Sequence, residues 1–318
     1  MRFNKLDLNL LVALDALLTE RSVSRAAERV HLSQPAMSNA LARLRDHFAD
    51  ELLEQVGRQM ELTPRAEVLV DAVRDVLVRI EATVSAQPQF KPAQSDREFR
   101  ILVSDYSMTT LMPHVLALAW EHSRTVRFQL LPQVAHPQRT LERGEVDLLI
   151  IPSQFCSPEH PTETLLHESF SCLVWAASRW AQQGLTLERY LAAGHVVVRP
   201  AETQHAAVEA WFNQHPGTPR RMEVATYSFA ASVHLVIGSE RIATVHHRLA
   251  VQAQRWLPVK LLPPPLAIPP MQQAMQWHKY RTQDAGLVWL RELMHSAAQR
   301  MDLEGAAPSS KPARFGQL

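Results

Sequence analysis

Residues 21–48, RSVSRAAERVHLSQPAMSNALARLRDHF, predict the fold of the N-terminal part of this chain. The pattern indicates two short helices joined by a tight turn at His31-Leu32-Ser33. We expect Ser24 to cap the first helix and Ser33 the second, because a serine hydroxyl can accept a hydrogen bond from a free N–H at a helix start. Pro35 suits the first turn of the second helix, where a missing N–H costs nothing.

The second of these helices is amphipathic. Its inward face is predicted to carry Met37, Ala40, Leu41, Leu44 and Phe48, which recur at helical spacing. Its outward face carries Gln34, Ser38, Asn39, Arg43 and Asp46. Gln and Asn can bond base edges bidentately and hydroxyl groups can serve either strand, so this face suits the DNA major groove as part of a helix-turn-helix. An ordinary helical hairpin with a polar outer face is the alternative interpretation.

The motif S-x-x-x-A-A-E-x-V-H-L-S-Q-P-A-M-S-N-A-L-x-R-L-R, from Ser22 to Arg45, resembles the N-terminal signature of the LysR-type transcriptional regulators. With the opening MRFNKLDLNLLVALDALLTER, the chain is most similar to the NodD branch of that family, whose relatives respond to aromatic inducers. The likeness runs from Met1 to about Arg300. The expected DNA-binding residues are Ser24, Arg25, Ser33, Gln34, Pro35, Ser38, Asn39, Arg43 and Arg58.

Composition bounds the class of protein. The 318 residues are 46% hydrophobic and 20% charged, which is typical of a globular protein with two or three compact units. No apolar run approaches the roughly 18 residues that a membrane span needs, and the N-terminus does not resemble a signal peptide. Cys156 and Cys172 lack metal-ligand spacing, so we expect reduced thiols in a cytoplasmic protein.

Charge gives weaker support to DNA binding. The formal net charge is only +1, whereas phosphate attraction usually demands a strongly basic surface. Arg21, Arg25 and Arg29 recur every four residues and are expected to line one helix face, which a solvated surface helix explains equally well.

Flanking segments extend the winged helix-turn-helix. Residues 6–20 are too rich in leucine for a single apolar stripe, so this helix is expected to be buried on two sides. Residues 51–63 predict a β-hairpin wing with Arg58 at its tip. A long helix follows from Pro64 to about Ser85, with an apolar seam at Leu69, Val73, Val76, Ile80 and Val84. The family resemblance makes it the dimerisation linker helix, and packing within the chain is the alternative.

Beyond a polar, proline-bearing hinge, strands and helices alternate, which is typical of a parallel α/β fold. Strands are expected at 99–104, 126–131, 146–151, 195–198, 222–225, 242–245 and 260–262, and helices at 110–121, 137–143, 204–215, 228–237, 248–256 and 285–300. Residues 165–176 and 263–270 are expected to cross between two lobes. The resemblance implies a periplasmic-binding-protein-like effector domain.

The expected organisation is a DNA-binding domain, a linker helix, a hinge, a two-lobed effector domain and a disordered tail. Their predicted bounds are 1–63 for the winged helix-turn-helix, 64–86 for the linker helix, 87–98 for the hinge, 99–166 with 269–303 for lobe 1, 167–268 for lobe 2, and 304–318 for the tail.

Enzyme and metal chemistry find little support in the sequence. The fifteen histidines form no HExxH or HxH motif, and GxSxG, GxGxxG and Walker motifs are absent, so no cofactor is expected. A ligand cleft is expected beyond the carboxyl ends of the strands. The predicted effector-binding residues there are Ser104, Tyr106, Ser107, Gln154, Thr203, His205, Tyr227, Phe229, His246 and Arg248. In relatives that sense aromatic acids, the positions matching His205 and Arg248 line the inducer pocket.

The sequence thus predicts a cytoplasmic LysR-type regulator, by resemblance an activator. Expected partners are double-stranded promoter DNA, a small aromatic inducer, further copies of the chain in a dimer or tetramer, and RNA polymerase, with no membrane contact. Flavonoids, salicylate-like compounds and chlorinated phenols all stay open as inducers. A solute-binding module without DNA affinity and an enzyme acting on aromatic compounds are the alternatives.

Overall fold

The computed structural model describes residues 7–84, 89–199, 207–215 and 220–306. They fall into two compact units, one drawn from Met1–Gln87 with Arg139–Glu145 and the other from Pro88–Gln138 with Val146–Leu318. Within the described ranges, none of the helices combines the length and the apolar character that crossing a bilayer requires.

The N-terminal unit is a helical bundle with a β-hairpin. Its elements are α1 (Leu8–Glu20), α2 (Val23–Arg29), α3 (Gln34–Phe48), β1 (Leu53–Val56), β2 (Gln59–Leu62) and α4 (Pro64–Val84). Helix α1 packs against α2, α3 and α4 and buries residues from Leu10 to Leu18. The prediction that this leucine-rich helix is buried on two sides is confirmed. Ala26 and Ala27 are buried where α2 approaches its neighbours, and their small size permits this close packing.

The start of α2 differs from the prediction. Ser22 is the N-cap, its hydroxyl accepting a hydrogen bond from Arg25 N at 3.4 Å, whereas Ser24 is an exposed residue within the helix. Arg21 ends α1 in the left-handed region, with φ +47°, so the chain becomes extended at Ser22 and starts the next helix at once. The capping role predicted for Ser24 is therefore wrong. Ser33 caps α3 as predicted and accepts from Ala36 N at 3.3 Å.

The predicted hairpin is present. Strands β1 and β2 pair antiparallel from Leu53↔Leu62 to Val56↔Gln59, and Gly57 takes the positive φ of +64° that the turn requires. Arg45 of α3 donates to the carbonyls of Glu51 and Leu53 at 2.8 and 3.0 Å. These bonds fix the base of the hairpin relative to α3.

The remaining elements follow in chain order, and all but α7 lie entirely in the second unit. They are β3 (Glu98–Val103), α5 (Asp105–Thr110), α6 (Met112–His122), β4 (Arg127–Leu131), α7 (Pro137–Glu142), β5 (Leu148–Pro152), β6 (Thr162–Glu168), β7 (Phe170–Trp175), α8 (Arg179–Gln183), α9 (Leu187–Ala192), β8 (Gly194–Val198), α10 (Ala207–Gln214), β9 (Arg221–Thr226), α11 (Phe229–Ser232), β10 (Ile242–His246), α12 (His247–Gln254), β11 (Val259–Leu262), β12 (Met271–Gln276) and α13 (Ala285–Ala306).

Two sheets form two lobes in this part of the chain. Among the described residues, lobe 1 has the strand order β4-β3-β5-β12-β6 and lobe 2 the order β11-β7-β10-β8-β9. The pairs β3–β4, β3–β5, β8–β9 and β8–β10 are parallel. The chain leaves lobe 1 at Ser169, between β6 and β7, and returns through the proline-rich segment before β12. These passages lie within the segments 165–176 and 263–270, where crossings were expected, and the two-lobed fold class is confirmed.

Several element bounds differ from the prediction. The helix expected at 110–121 corresponds to α6, which begins at Met112, and a separate short helix, α5, precedes it with Ser104 as its N-cap. Helices α8 and α9 were not predicted, and the expected hinge contains a short 3-10 turn before β3. Helix α11 is much shorter than the expected 228–237, and α13 reaches Ala306 instead of about 300. Residues 307–318 of the predicted tail lie outside the described residues.

Candidate DNA-recognition face and effector site

Helix α3 has one buried apolar face and one exposed polar face. Met37 and Leu44 have no exposed surface, and Ala40 and Leu41 are also buried. The predicted base-reading residues Gln34, Pro35, Ser38, Asn39 and Arg43 are all exposed. Because α1 and α2 pack against α3, the polar face is presented on an anchored element, as groove recognition requires.

The arginines near α2 do not form the predicted row. Arg21 precedes the helix, while Arg25 and Arg29 pair with Glu20 at 3.5 and 3.1 Å. The expectation of one helix face lined by the three arginines is therefore wrong, because α2 starts after the left-handed residue Arg21. Arg58 lies exposed at the hairpin turn, as predicted for a residue that approaches phosphates.

The seam predicted on α4 is divided between two environments. Val73 is buried in the core beneath α1, where Arg74 also pairs with Asp15 at 2.8 Å. Val76 and Val84 keep 43% and 80% of their surface exposed, and Val68 keeps 77%. Part of the helix thus packs within the chain, and part leaves apolar side chains uncovered.

In the second unit, Ser104 and Ser107 lie at the carboxyl end of β3, as predicted. Both are buried: the Ser104 hydroxyl accepts from Ser107 N at 3.2 Å, and Gln273 donates to the Ser107 hydroxyl at 3.3 Å. These hydroxyls therefore serve the start of α5 and the contact with β12.

Three predicted aromatic residues come together between the lobes. The Tyr106 ring of lobe 1 stacks on the His246 ring of lobe 2, with centroids 4.0 Å apart, and the Phe229 ring lies 4.9 Å from His246. All three side chains are buried. Burial lowers the pKa of His246 to about 3, so its imidazole is neutral and packs as a flat apolar group. These rings fill the interlobe contact themselves.

Other predicted effector residues lie elsewhere. Tyr227 keeps 81% of its surface exposed, so its ring is not packed as a pocket wall, and Gln154 is also exposed. Thr203 and His205 lie outside the described residues. The structure therefore does not bring the ten predicted residues into one cleft.

Arg248 is the centre of an ion-pair network at the crossing between lobes. Its guanidinium donates to Glu168 Oε2 at 2.8 Å, to the His167 carbonyl at 2.8 Å and to Asp302 Oδ1 at 2.5 Å. Glu168 is completely buried and also accepts the Tyr106 hydroxyl. Burial alone would lower the pKa of Arg248, but its hydrogen bonds with Glu168 and Asp302 outweigh burial and raise it.

A cavity of about 460 Å³ lies beside this network. Its lining comes from α5, α6, the crossing, α12, Pro270 and the end of α13, and it comprises Thr109, Thr110, Pro113, His114, His167, Glu168, Ser169, His247, Arg248, Val251, Gln252, Arg255, Pro270, Met301 and Asp302. Among the predicted effector residues that the structure describes, Arg248 alone belongs to this lining.

The sequence did not identify Glu168 and Asp302 as the ion-pair partners of Arg248. One signal was available, because Glu168 interrupts the apolar run LLHESFSCLVW at 165–175, and a buried carboxylate needs a cationic partner. Among the described residues, no group of three or more potential metal ligands comes together.

Comparison with known proteins assigns both parts of the chain. Residues 8–67 match the family of bacterial regulatory helix-turn-helix proteins of the lysR type, and residues 92–299 match the LysR substrate binding domain. Nodulation protein D 1 of Mesorhizobium japonicum is 41% identical over 96% of this chain and 98% of its own length. Nodulation protein D of Bradyrhizobium sp. (strain ANU 289) is 38% identical over 99% of this chain and 93% of its own length.

Solved structures support the same fold. Full-length OxyR from Pseudomonas aeruginosa, in a variant with one cysteine replaced by aspartate, is 20% identical with a TM-score of 0.69, covering 92% of this chain and 95% of its own. Full-length CbnR complexed with its target DNA is 16% identical with a TM-score of 0.56, and the match covers 93% of this chain and 100% of the CbnR chain. The domain order, the two-lobed fold and the nearly full-length relatives agree, and this chain belongs to the LysR family of bacterial helix-turn-helix regulatory proteins.

Proposed function

We propose that this chain is a cytoplasmic transcriptional activator that binds promoter DNA through α3 and the hairpin wing and responds to a small aromatic inducer. The inducer binds in the two-lobed domain, and the bound regulator acts on RNA polymerase at a neighbouring operon. The family consists of regulatory proteins, so neither an enzyme acting on aromatics nor an isolated solute-binding module is supported.

The polar exposed face of α3 carries the proposal. Gln34, Ser38, Asn39 and Arg43 are all exposed on a helix whose other face is anchored in the core. Amide and guanidinium groups can discriminate base edges in the major groove. Arg58 at the hairpin turn supplies a phosphate contact that does not depend on sequence.

Oligomerisation follows from the uncovered side of α4. Val76 and Val84 of the predicted seam are exposed apolar residues on one side of this long helix, and covering them with a second copy removes them from water. A two-fold dimer places two recognition helices on one duplex, so each operator should contain two half-sites. Effector domains then join dimers into a tetramer.

An aromatic inducer shifts this assembly only if it binds one arrangement of the lobes more tightly than the other. The likeness to nodulation protein D relatives and the interlobe position of Arg248, which lines the cavity, support a site between the lobes.

The test measures binding of the full-length chain to labelled DNA from upstream of the adjacent operon by fluorescence anisotropy. We expect binding with a preference over scrambled DNA of about a thousandfold or more and a steep decrease with salt. Equal affinity for both DNAs would contradict the proposal, and so would affinity that does not change with salt. A reporter gene driven by the same DNA should respond to an added aromatic compound.

A further inference from the structure

The hairpin wing, formed by β1, β2 and the turn between them, is attached to the core of its unit at two places. The first attachment is made by Arg45 of α3, which donates to the carbonyls of Glu51 and Leu53 at 2.8 and 3.0 Å. The Arg45 guanidinium also forms an ion pair with the Glu51 carboxylate at 3.0 Å. Since Arg45 belongs to α3, these contacts join the wing to the helix that carries the proposed base-reading face.

The second attachment is made by Asp50, which lies between α3 and β1. Its Oδ1 atom accepts hydrogen bonds from Leu52 N at 2.8 Å and from the Thr63 hydroxyl at 2.6 Å. Leu52 leads into β1 and Thr63 directly follows β2, so one carboxylate oxygen holds both ends of the hairpin. The Thr63 hydroxyl in turn accepts from Ala66 N at 3.1 Å, which satisfies a free N–H in the first turn of α4.

The backbone at Leu52 depends on this support. Leu52 has a φ of +60°, which is uncommon for a residue with a Cβ, and its side chain is buried. Such a conformation persists only where the surrounding structure holds it. The bond from Leu52 N to Asp50 and the bond from Thr63 N to the Leu52 carbonyl, at 3.2 Å, supply that constraint. Removal of the Asp50 acceptor therefore loosens the point from which the wing leaves the core.

A small change at the base of the wing becomes a large one at its turn. Val56 is three residues beyond Leu53, which is about 10 Å along an extended strand. A tilt of about 15° at the base therefore displaces the turn, with Arg58, by roughly 3 Å, which is the whole length of a hydrogen bond. A contact between Arg58 and a phosphate thus depends on how the base is held.

The negative charge of Asp50 separates a geometric role from an electrostatic one. A carboxylate repels phosphates, so an acidic residue near a DNA-binding hairpin opposes binding by its charge alone. The hydrogen bonds from Thr63 and Leu52 lower the pKa of Asp50 below its ordinary value, so the carboxylate stays ionised. If this acid supports DNA binding, it does so through the geometry that it imposes.

We propose that Asp50 and Arg45 are positioning residues for DNA binding, which hold the wing at the angle that brings Arg58 to a phosphate. This role requires no contact between either residue and DNA. The inference rests on the proposed function, in which α3 and the wing bind the same duplex, and it assigns to two further residues the placement of the wing relative to α3.

The main test compares Asp50→Ala with Asp50→Asn in the full-length protein, by fluorescence anisotropy on operator DNA over a salt series. Asp50→Ala removes the acceptor, so we expect about threefold to tenfold weaker binding near 0.1 M salt and a salt slope smaller by up to about one. Asparagine keeps an acceptor oxygen without the charge, so Asp50→Asn should bind at least as tightly as wild type. Asp50→Ala binding that equals or exceeds that of wild type would overturn the proposal, and so would Asp50→Asn binding as weak as that of Asp50→Ala.

A double-variant cycle with Arg58 shows whether Asp50 and Arg45 act through the wing. In the Arg58→Ala background, Asp50→Ala and Arg45→Met should each change operator affinity by no more than about twofold. Additive losses would overturn the proposal, because these residues would then act apart from Arg58. Arg29→Met is the matched control: the Arg29 side chain is 35% exposed, against 34% for Arg45, and it pairs with Glu20 on α1, so its effect should be additive with that of Arg58→Ala.

Folding is checked by the melting temperature, and affinities are compared where every variant is folded. If Asp50→Ala is too unstable for this comparison, the cycle of Arg45→Met with Arg58→Ala carries the test. If wild type prefers the operator and Arg58→Ala weakens binding while the cycles are additive, only the positioning inference is wrong. Arg58→Ala binding equal to that of wild type instead refutes the wing contact of the proposed function, and loss of sequence preference in the wild-type protein refutes that function as a whole.

Discussion

Replacement of Arg248 by methionine should destabilise the effector unit through the buried Glu168 carboxylate. Glu168 has no exposed side-chain surface, and Arg248 supplies both its counterion at 2.8 Å and a backbone N–H at 3.3 Å. Removing one partner of a buried ion pair costs about 3–5 kcal/mol, because the other charge stays buried without compensation. Since the Arg248 side chain is 24% exposed, we expect the lower end, about 3 kcal/mol.

Melting curves of the variant test this magnitude. For a unit of this size, about 3 kcal/mol corresponds to a melting temperature roughly 6–12 °C lower. The double variant Arg248→Met with Glu168→Gln should recover most of the loss, because no charge then stays buried. The single variant Glu168→Gln is the matched control for the hydrogen bond to Tyr106. A loss below about 1 kcal/mol for Arg248→Met would refute the reasoning, and so would a double variant as unstable as the single one.

Three further predictions concern the wing, the linker helix and acid stability. Arg58→Ala should weaken binding to all DNA sequences alike and reduce the salt slope by about one, as measured by anisotropy over a salt series; a change in sequence preference would contradict this. Ile80→Asp should give monomers by light scattering, since an unpaired charge is unfavourable in an apolar dimer contact; a stable dimer would place the interface elsewhere. Burial lowers the pKa of His246 from its ordinary value of 6.5 to about 3 in the folded protein. Between pH 6.5 and pH 3 the unfolded chain therefore binds more protons than the folded one, and the free energy of unfolding decreases as the pH falls below 6.5. His246→Phe should reduce that loss by up to about 1.4 kcal/mol per pH unit in unfolding curves from pH 7 to 5, and an unchanged acid slope would contradict this.

The DNA-binding unit could be predicted well because its determinants are local. The Ser33 cap, Pro35 and the spacing from Met37 to Leu44 all act within one or two helical turns. The start of α2 was misplaced because two serines stand two residues apart, and only the left-handed backbone of Arg21 decides which one precedes the helix.

The candidate effector site was harder to predict because its contacts join distant parts of the chain. The strand-end rule placed Tyr106 and His246 on the correct edges of their sheets, but it could not show that their rings stack on each other. The partners of Arg248 come from the end of β6 and from α13, and no local pattern connects these segments. The same rule failed for Tyr227, which directly follows β9 but has an exposed side chain.

The central claim is that the exposed face of α3 reads DNA sequence, and Gln34→Ala tests it most directly. Affinities of the full-length variant should be measured for the operator and for operators changed at one base pair at a time. We expect a loss of about 1–3 kcal/mol on the operator and relaxed preference at one base-pair position, with binding to unrelated DNA unchanged. Gln254→Ala, which removes an exposed glutamine from α12, is the matched control and should bind like wild type. Undiminished operator preference in Gln34→Ala would contradict the claim.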